Sequence, residues 1–115
     1  METYRKAVQR ARKAGGTCEE AFALHSWEEF FAHPQASEWA VWYASMVLHA
    51  RWPEAEETIR QDPQEAAYYA HDVLHARWPE AEGTIRQDPR AAAWYASNVL
   101  HARWPEAEET IRQDP

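Results

Sequence analysis

The sequence predicts an all-α protein, a short α-solenoid of helix-pair repeats with an N-terminal helical cap. The tripeptide Arg-Trp-Pro recurs at residues 51–53, 77–79 and 103–105, so the unit returns every 26 residues (77 − 51 = 103 − 77 = 26). A fixed period in this range is typical of repeat arrays, in which each unit buries a face on its neighbours. Apolar residues recur at helical spacing within the unit, and the chain has only three glycines. Both observations favour helices over strands and loops.

The N-terminal region is expected to form three short helices before the repeats begin. Residues 3–14 carry apolar side chains at helical spacing and end at two consecutive glycines. Thr17 precedes Glu20 by three positions, and Ser26 precedes Glu29 in the same way. This spacing is typical of a capping box, in which a hydroxyl and a carboxylate satisfy backbone donors at a helix start. We therefore expect a second helix after Thr17 and a third after Ser26.

The first helix of each repeat is expected to begin at an Asp-Pro pair and to bury one stripe. Asp62 suits an N-cap, and Pro63 suits the first helical turn. Arg77 is expected in the last turn, where a cation complements the helix dipole. Helical spacing predicts that the buried stripe comprises Ala66, Tyr69, Ala70, Val73 and Leu74.

The second helix of each repeat is expected to be shorter. Trp78 precedes a proline, and such a residue avoids helical backbone angles, so the first helix should end here. The second helix is predicted to run from Pro79 to Gln87, with Ala81 and Ile85 as its buried pair. Trp78 is predicted to wedge between helices.

Two regions follow from this pattern. Residues 1–38 are assigned to an N-terminal helix and a degenerate helical cap, and residues 39–115 to three helix-pair repeats. The segment 18–38 resembles a shortened, diverged copy of the repeat, and solenoids use such units to cover their ends. With 115 residues in all, the two regions are expected to form a single compact domain.

Charge is distributed unevenly along the chain, whose net charge is −7. Residues 1–14 carry five cations and one acid (5 − 1 = +4), and the remainder carries seven cations and eighteen acids (7 − 18 = −11). Because an acidic surface repels phosphates, the repeats are not expected to bind duplex nucleic acid directly. The expected partner is instead a protein with a basic surface.

Two further features bear on the compartment. The chain has no run of eighteen apolar residues, so no interaction with a membrane is expected. Its one cysteine, Cys18, leaves no internal disulfide and fits a reducing cytosol.

Two histidines in one repeat have the spacing of metal ligands. His71 and His75 are one helical turn apart, with Asp72 beside the first, and such a pair can share a metal ion. The equivalent positions of His71 in the other copies are Ser45 and Ser97. We therefore expect no metal, no cofactor and no catalytic residue, and interpret the repeated histidines as helix-end side chains.

The repeat resembles a family of short tandem helical repeats found in phage and bacterial proteins. The resemblance spans residues 36–115 and depends on the pattern Asp-Pro, Tyr-Ala, Val-Leu and the hexapeptide Arg-Trp-Pro-Glu-Ala-Glu at 51–56, 77–82 and 103–108. It implies a helical array in a mobile, phage-like genetic setting and carries no catalytic residue. By analogy, a small acidic protein in that setting is expected to inhibit a host defence system, as anti-CRISPR proteins do, in the bacterial cytoplasm.

The expected function is non-catalytic binding of a host protein, and the chain is not expected to be an enzyme. Glutamates recur at the start of each predicted short helix. They are interpreted either as a binding surface for that partner or, more simply, as charges that complement helix N-termini. The alternative function is a structural, self-assembling repeat module with no inhibitory role. The end of the C-terminal repeat, with Trp104 and Ile111, is expected to be covered by a second copy, as a homodimer, or by the partner itself. The proposed protein-binding residues are Glu54, Glu56, Glu57, Glu80, Glu82, Glu106, Glu108, Glu109, Trp104 and Ile111.

Overall fold

The computed structural model describes residues 1–112, and in this part of the chain all regular structure is helical. The prediction of an all-α fold is therefore confirmed. The α-helices are α1 (Tyr4–Lys13), α2 (Glu19–Phe22), α3 (Trp27–Ala32), α4 (Ala36–Tyr43), α5 (Pro53–Arg60), α6 (Pro63–Tyr69), α7 (Pro79–Ile85), α8 (Pro89–Tyr95) and α9 (Glu108–Arg112). A 3₁₀ turn, Pro105–Ala107, precedes α9. The last predicted Asp-Pro helix start, at 114–115, lies outside the described residues.

The expected N-terminal helices form, but one of the two capping boxes does not. Thr3 caps α1 by accepting a hydrogen bond from the backbone N–H of Lys6, at 3.3 Å. Ser26 caps α3 by accepting from the N–H of Glu29, at 3.2 Å. The prediction for Thr17 is wrong, since α2 begins at Glu19 and its start has no side-chain cap.

Asp-Pro pairs start the repeat helices as predicted. The carboxylate of Asp62 accepts hydrogen bonds from the first N–H groups of α6, at 3.0 and 3.1 Å. Asp88 does the same for α8, at 2.9 and 3.0 Å. The predicted stripe is partly right: Ala66, Tyr69 and Ala70 are buried, whereas Val73 and Leu74 are only half-buried.

Each of α4, α6 and α8 continues into one π-helical turn, a feature that the helical spacing of the sequence does not predict. These turns are Ala44–Leu48, Ala70–Leu74 and Ala96–Leu100. The histidine after each turn has left-handed backbone angles, with φ of 52°, 54° and 54° at His49, His75 and His101. The helix therefore ends before Arg77, and the expectation that Arg77 lies in its last turn is wrong.

The repeat helices pack in chain order. The helix α4 packs on α5, α6 packs on α5 and α7 and also on α8, and α8 packs on α9. The tryptophan before each short helix is buried, with exposed fractions of 3%, 2% and 2% at Trp52, Trp78 and Trp104. The ring of Trp78 packs on Tyr69 with centroids 4.8 Å apart, which agrees with the predicted wedge.

Candidate functional site

The repeats are joined by one recurring arrangement, which we call the tyrosine bridge. The hydroxyl oxygen of Tyr69 accepts a hydrogen bond from the backbone N–H of Trp52, and the hydroxyl donates to the carboxylate of Glu56, both at 2.7 Å. Tyr95 makes the same two contacts one repeat later, with Trp78 and Glu82, again at 2.7 Å. Each bridge ties a tyrosine to the repeat before it.

An arginine fixes the glutamate of each bridge. Nε and Nη2 of Arg51 bind the two carboxylate oxygens of Glu56 at 3.0 and 2.8 Å. Arg77 binds Glu82 in the same fashion, at 2.9 and 2.8 Å. The arginine hydrogen bonds hold the pKa of each carboxyl below its usual value, against the opposing effect of burial. Both carboxylates therefore stay ionised and are committed to contacts within the chain.

The N-terminal segment supplies an equivalent glutamate and arginine to the first tyrosine, Tyr43. The Tyr43 hydroxyl donates to the carboxylate of Glu2, which also binds Nη1 of Arg10 at 2.8 Å. Burial raises the pKa of Glu2, but the hydrogen bonds from Tyr43 and Arg10 outweigh it and leave that pKa below its usual value. Because Glu2 and Arg10 occupy the roles of the repeat glutamate and arginine, this segment covers the first repeat as a preceding unit would.

The predicted binding glutamates divide into two groups. Those that are half-buried and bound to an arginine of the chain are Glu56, Glu82 and Glu108, with side chains 14%, 14% and 24% exposed. Those that are exposed are Glu54, Glu57, Glu80, Glu106 and Glu109. Within residues 1–112, only the second group presents carboxylates without an ion pair. We call Glu54, Glu80 and Glu106, which are equivalent in the three repeats, the acidic row.

The acidic row has cations beside it. The guanidinium of Arg51 interacts electrostatically with Glu80 of the next repeat, and that of Arg77 interacts in the same way with Glu106. Each of these arginines is already bound to the half-buried glutamate of its own repeat. Because each of these arginine–glutamate pairs has no net charge, the carboxylates of the acidic row keep their negative charge.

The two apolar residues proposed for binding behave differently. Trp104 is 2% exposed and therefore not available to a partner as proposed, because its ring packs on Tyr95 with centroids 4.9 Å apart. Ile111 is half-buried, whereas its equivalents Ile59 and Ile85 are 0% exposed beneath the repeats that follow them.

The histidines do not assemble a metal site in the part of the chain that the structure describes. Nδ1 of His71 lies 2.7 Å from the carboxylate of Asp72, and His75 is exposed at its left-handed position. No group of three or more His, Cys, Asp or Glu side chains within residues 1–112 is placed to hold a metal ion.

No protein-family model matches the sequence, and searches of curated proteins and of solved structures return no similar protein. Among the helices of residues 1–112, none has both the length and the hydropathy that crossing a bilayer requires.

Proposed function

We propose that the chain is a non-catalytic binding protein that docks its acidic row on a basic surface of another protein. One observation carries this proposal: Glu54, Glu80 and Glu106 are exposed at equivalent positions in the three repeats, while Glu56, Glu82 and Glu108 are committed to tyrosine bridges or to arginines. A repeated row of like charges suits an extended partner surface of opposite charge. The row raises association rate and selectivity more than affinity.

The finer proposal is that the partner handles nucleic acid and that binding inhibits it. A surface that receives phosphates is basic and accepts a series of carboxylates for the same electrostatic reason. The charge of −11 over residues 15–115 and the resemblance to repeats of phage and bacterial proteins support an inhibitor of a bacterial defence protein, acting in the cytoplasm in the manner of an anti-CRISPR protein.

The test is affinity capture from a bacterial lysate by the immobilised chain, followed by mass spectrometry. The variant Glu54→Gln/Glu80→Gln removes two charges from the row. We expect the parent to retain a basic, nucleic-acid-handling protein and the variant to lose it. Added salt should release that protein, because exposed charges are screened within about 10 Å at 0.1 M ionic strength.

A matched control removes the same charge elsewhere. Glu28 and Asp72 are exposed and lie outside the acidic row, so Glu28→Gln/Asp72→Asn should retain the captured protein. Equal loss in both variants would show that net charge, and not the row, governs binding. Equal retention in both would overturn the proposal.

Self-assembly is a second candidate, favoured by the partial exposure of Ile111. Burying this side chain against a second copy would give it the environment of Ile59 and Ile85. Light scattering should then report a dimer that Ile111→Glu dissociates without loss of helical circular dichroism. A monomeric parent, together with unchanged partner binding by the variant, would rule out a contact at this face.

A further inference from the structure

A cavity of about 480 Å³ is lined by residues of α1, α2, α3 and α4 and shares no residue with the acidic row. The half-buried rings of Phe22, Trp27, Trp39 and Trp42 line it, and the buried rings of Tyr4 and Tyr43 reach it from the core. Small-molecule sites have volumes of roughly 300–1,000 Å³ and mostly apolar, aromatic linings. The cavity therefore has the size and lining of a small-molecule site.

One lining residue of the cavity, Gly16, lies against two aromatic rings. A Cβ atom at Gly16 would lie 2.9 Å from Cη2 of Trp42 and 3.2 Å from Cζ of Phe22. Both distances are shorter than ordinary van der Waals contact. The absence of a side chain at residue 16 thus lets these two rings of the cavity wall approach the backbone.

The charged side chains that line the cavity are both carboxylates, Glu20 on α2 and Glu38 on α4. An oxygen of Glu20 lies 2.9 Å from Nε2 of His33, whose ring stacks on Trp39 with centroids 4.3 Å apart. This contact ties the α2 carboxylate to an aromatic ring of α4. Negative charge and aromatic surface therefore lie next to each other in the cavity.

Cations lie near the cavity but not along it. The guanidinium of Arg12 is 4.5 Å from the ring centroid of Phe22 and is bound to both oxygens of Glu19. One lining ring thus already has a cation against it, neutralised by its own acid. The four other cations of α1 are exposed and do not line the cavity, namely Arg5, Lys6, Lys13 and Arg10, the last of which is bound to Glu2.

We propose that this cavity binds a small hydrophobic ammonium cation, with its head group against the aromatic rings and near Glu20 and Glu38. Aromatic faces attract cations through the ring quadrupole, and clusters of such rings recognise quaternary ammonium groups. The two carboxylates add a Coulomb attraction that a neutral molecule does not receive. An organic anion would be repelled by the same groups.

Isothermal titration calorimetry of the full chain with benzyltrimethylammonium tests this proposal. The comparison compounds are neopentylbenzene, its neutral isostere, and benzenesulfonate, an anion. We expect the cation to bind with a dissociation constant roughly 2- to 30-fold below that of the neutral compound, the range of cation–π attraction. Benzenesulfonate should show no saturable binding.

The reactivity of Cys18 gives an independent test of where the cation binds, because this exposed thiol is one of the residues that line the cavity. Bound cation should slow alkylation of Cys18 by iodoacetamide. Glu38→Gln should weaken binding several-fold, whereas Glu57→Gln, an exposed acid of the repeats, should leave it unchanged. Circular dichroism of both variants checks that the fold is retained.

Three results would overturn the proposal. They are no saturable binding of the cation, equal binding of the cation and its neutral isostere, and binding that leaves Cys18 alkylation unchanged. None of these results bears on the acidic row, because the two sites share no residue.

Discussion

The hydroxyl oxygen of Tyr69 lies 2.7 Å from the backbone nitrogen of Trp52, across 17 positions of the sequence. The same hydroxyl donates to Glu56 of the preceding repeat, while the ring of Tyr69 packs on the tryptophan that follows it, Trp78. One side chain therefore contacts the preceding repeat through its hydroxyl and its own repeat through its ring. The coupling between successive units depends on this geometry.

Removing the hydroxyl of Tyr69 should destabilise the fold. In Tyr69→Phe the buried N–H of Trp52 and the carboxylate of Glu56 each lose a partner, and an unsatisfied buried polar group costs about 1–3 kcal/mol. Urea denaturation should therefore show a free energy of unfolding lower by about that amount. Tyr68→Phe is the control, because that hydroxyl bonds only the exposed amide of Gln64 in the described structure. A loss no larger than the control's would contradict the bridge's role.

Core truncations should rank by burial and not by position in the hydrophobic pattern. Ile85 is 0% exposed, so Ile85→Ala should lower the free energy of unfolding by about 2–5 kcal/mol. Leu74 is half-buried, so Leu74→Ala should cost less, about 1–2 kcal/mol. Chemical denaturation of the two variants measures the difference. An equal or larger loss for Leu74→Ala would show that the π turn packs more deeply than described.

Glu65 should make stability depend on pH. Burial, followed by the charges of Asp62, Glu38 and Asp72, raises the pKa of Glu65 from 4.5 to about 7. Between these two values the folded chain binds more protons than the unfolded chain, so stability falls as pH rises from 4.5 to 7. Glu65→Gln should unfold at higher urea than the parent at about pH 8 and show no such gain at about pH 4.

The variant Glu65→Ala tests the same pH dependence of stability in a second way. The equivalent residue in the next repeat is Ala91, which is 2% exposed, so alanine fits this position of the helix. Its advantage over the parent should also appear only above the titration of Glu65. A pH profile of unfolding that neither variant changes would contradict the assignment.

The left-handed histidines should be sites of backbone strain. A non-glycine residue in this region costs roughly 1–2 kcal/mol, and His75 is exposed with φ of 54°. His75→Gly should therefore raise the free energy of unfolding by about 1 kcal/mol. His75→Val should lower it, because a β-branched residue is disfavoured there. If thermal unfolding of the two variants coincides, the side chain and not the backbone controls this position.

The helices could be predicted because their signals are local. Asp62 and Asp88 mark helix starts through bonds to residues two and three positions later, and the Tyr69–Ala70 stripe follows helical spacing. Thr17 satisfies the same spacing rule and fails, because α2 is a single short turn that begins at Glu19.

The tyrosine bridge and the π turns could not be predicted in the same way. The bridge joins residues 13 and 17 positions apart, so it depends on how two repeats pack. The one available signal was the joint repetition of Glu56 and Tyr69 as Glu82 and Tyr95, and duplication alone also produces such repetition. The π turn Ala70–Leu74 has the sequence of an ordinary helix. The left-handed residue that ends it is a histidine, whereas glycine is the usual sequence signal for such an end.

The candidate binding surface was only half predictable. The spacing Arg-Trp-Pro-Glu-Ala-Glu shows that Glu54 and Glu56 recur, but not that one is exposed and the other bound to Arg51 and Tyr69. The burial of Trp104 was not predicted, because the ring that packs on it belongs to Tyr95 of the same repeat and not to a following repeat. Fractional exposure, and not residue type, separates free carboxylates from structural ones.

Carbodiimide cross-linking of the captured complex, read by mass spectrometry, tests the acidic row most directly. The reagent joins a carboxylate to a partner lysine in contact with it as an amide, with loss of water. Tryptic peptides 52–60 and 104–112 are identical, whereas peptide 78–86 differs by Gly83, so Glu80 is the diagnostic residue. We predict cross-links from the partner to Glu80 and to the shared Glu54/Glu106 peptide. Cross-links confined to Glu28, Asp72 or other acids outside the repeats' short helices would contradict the account.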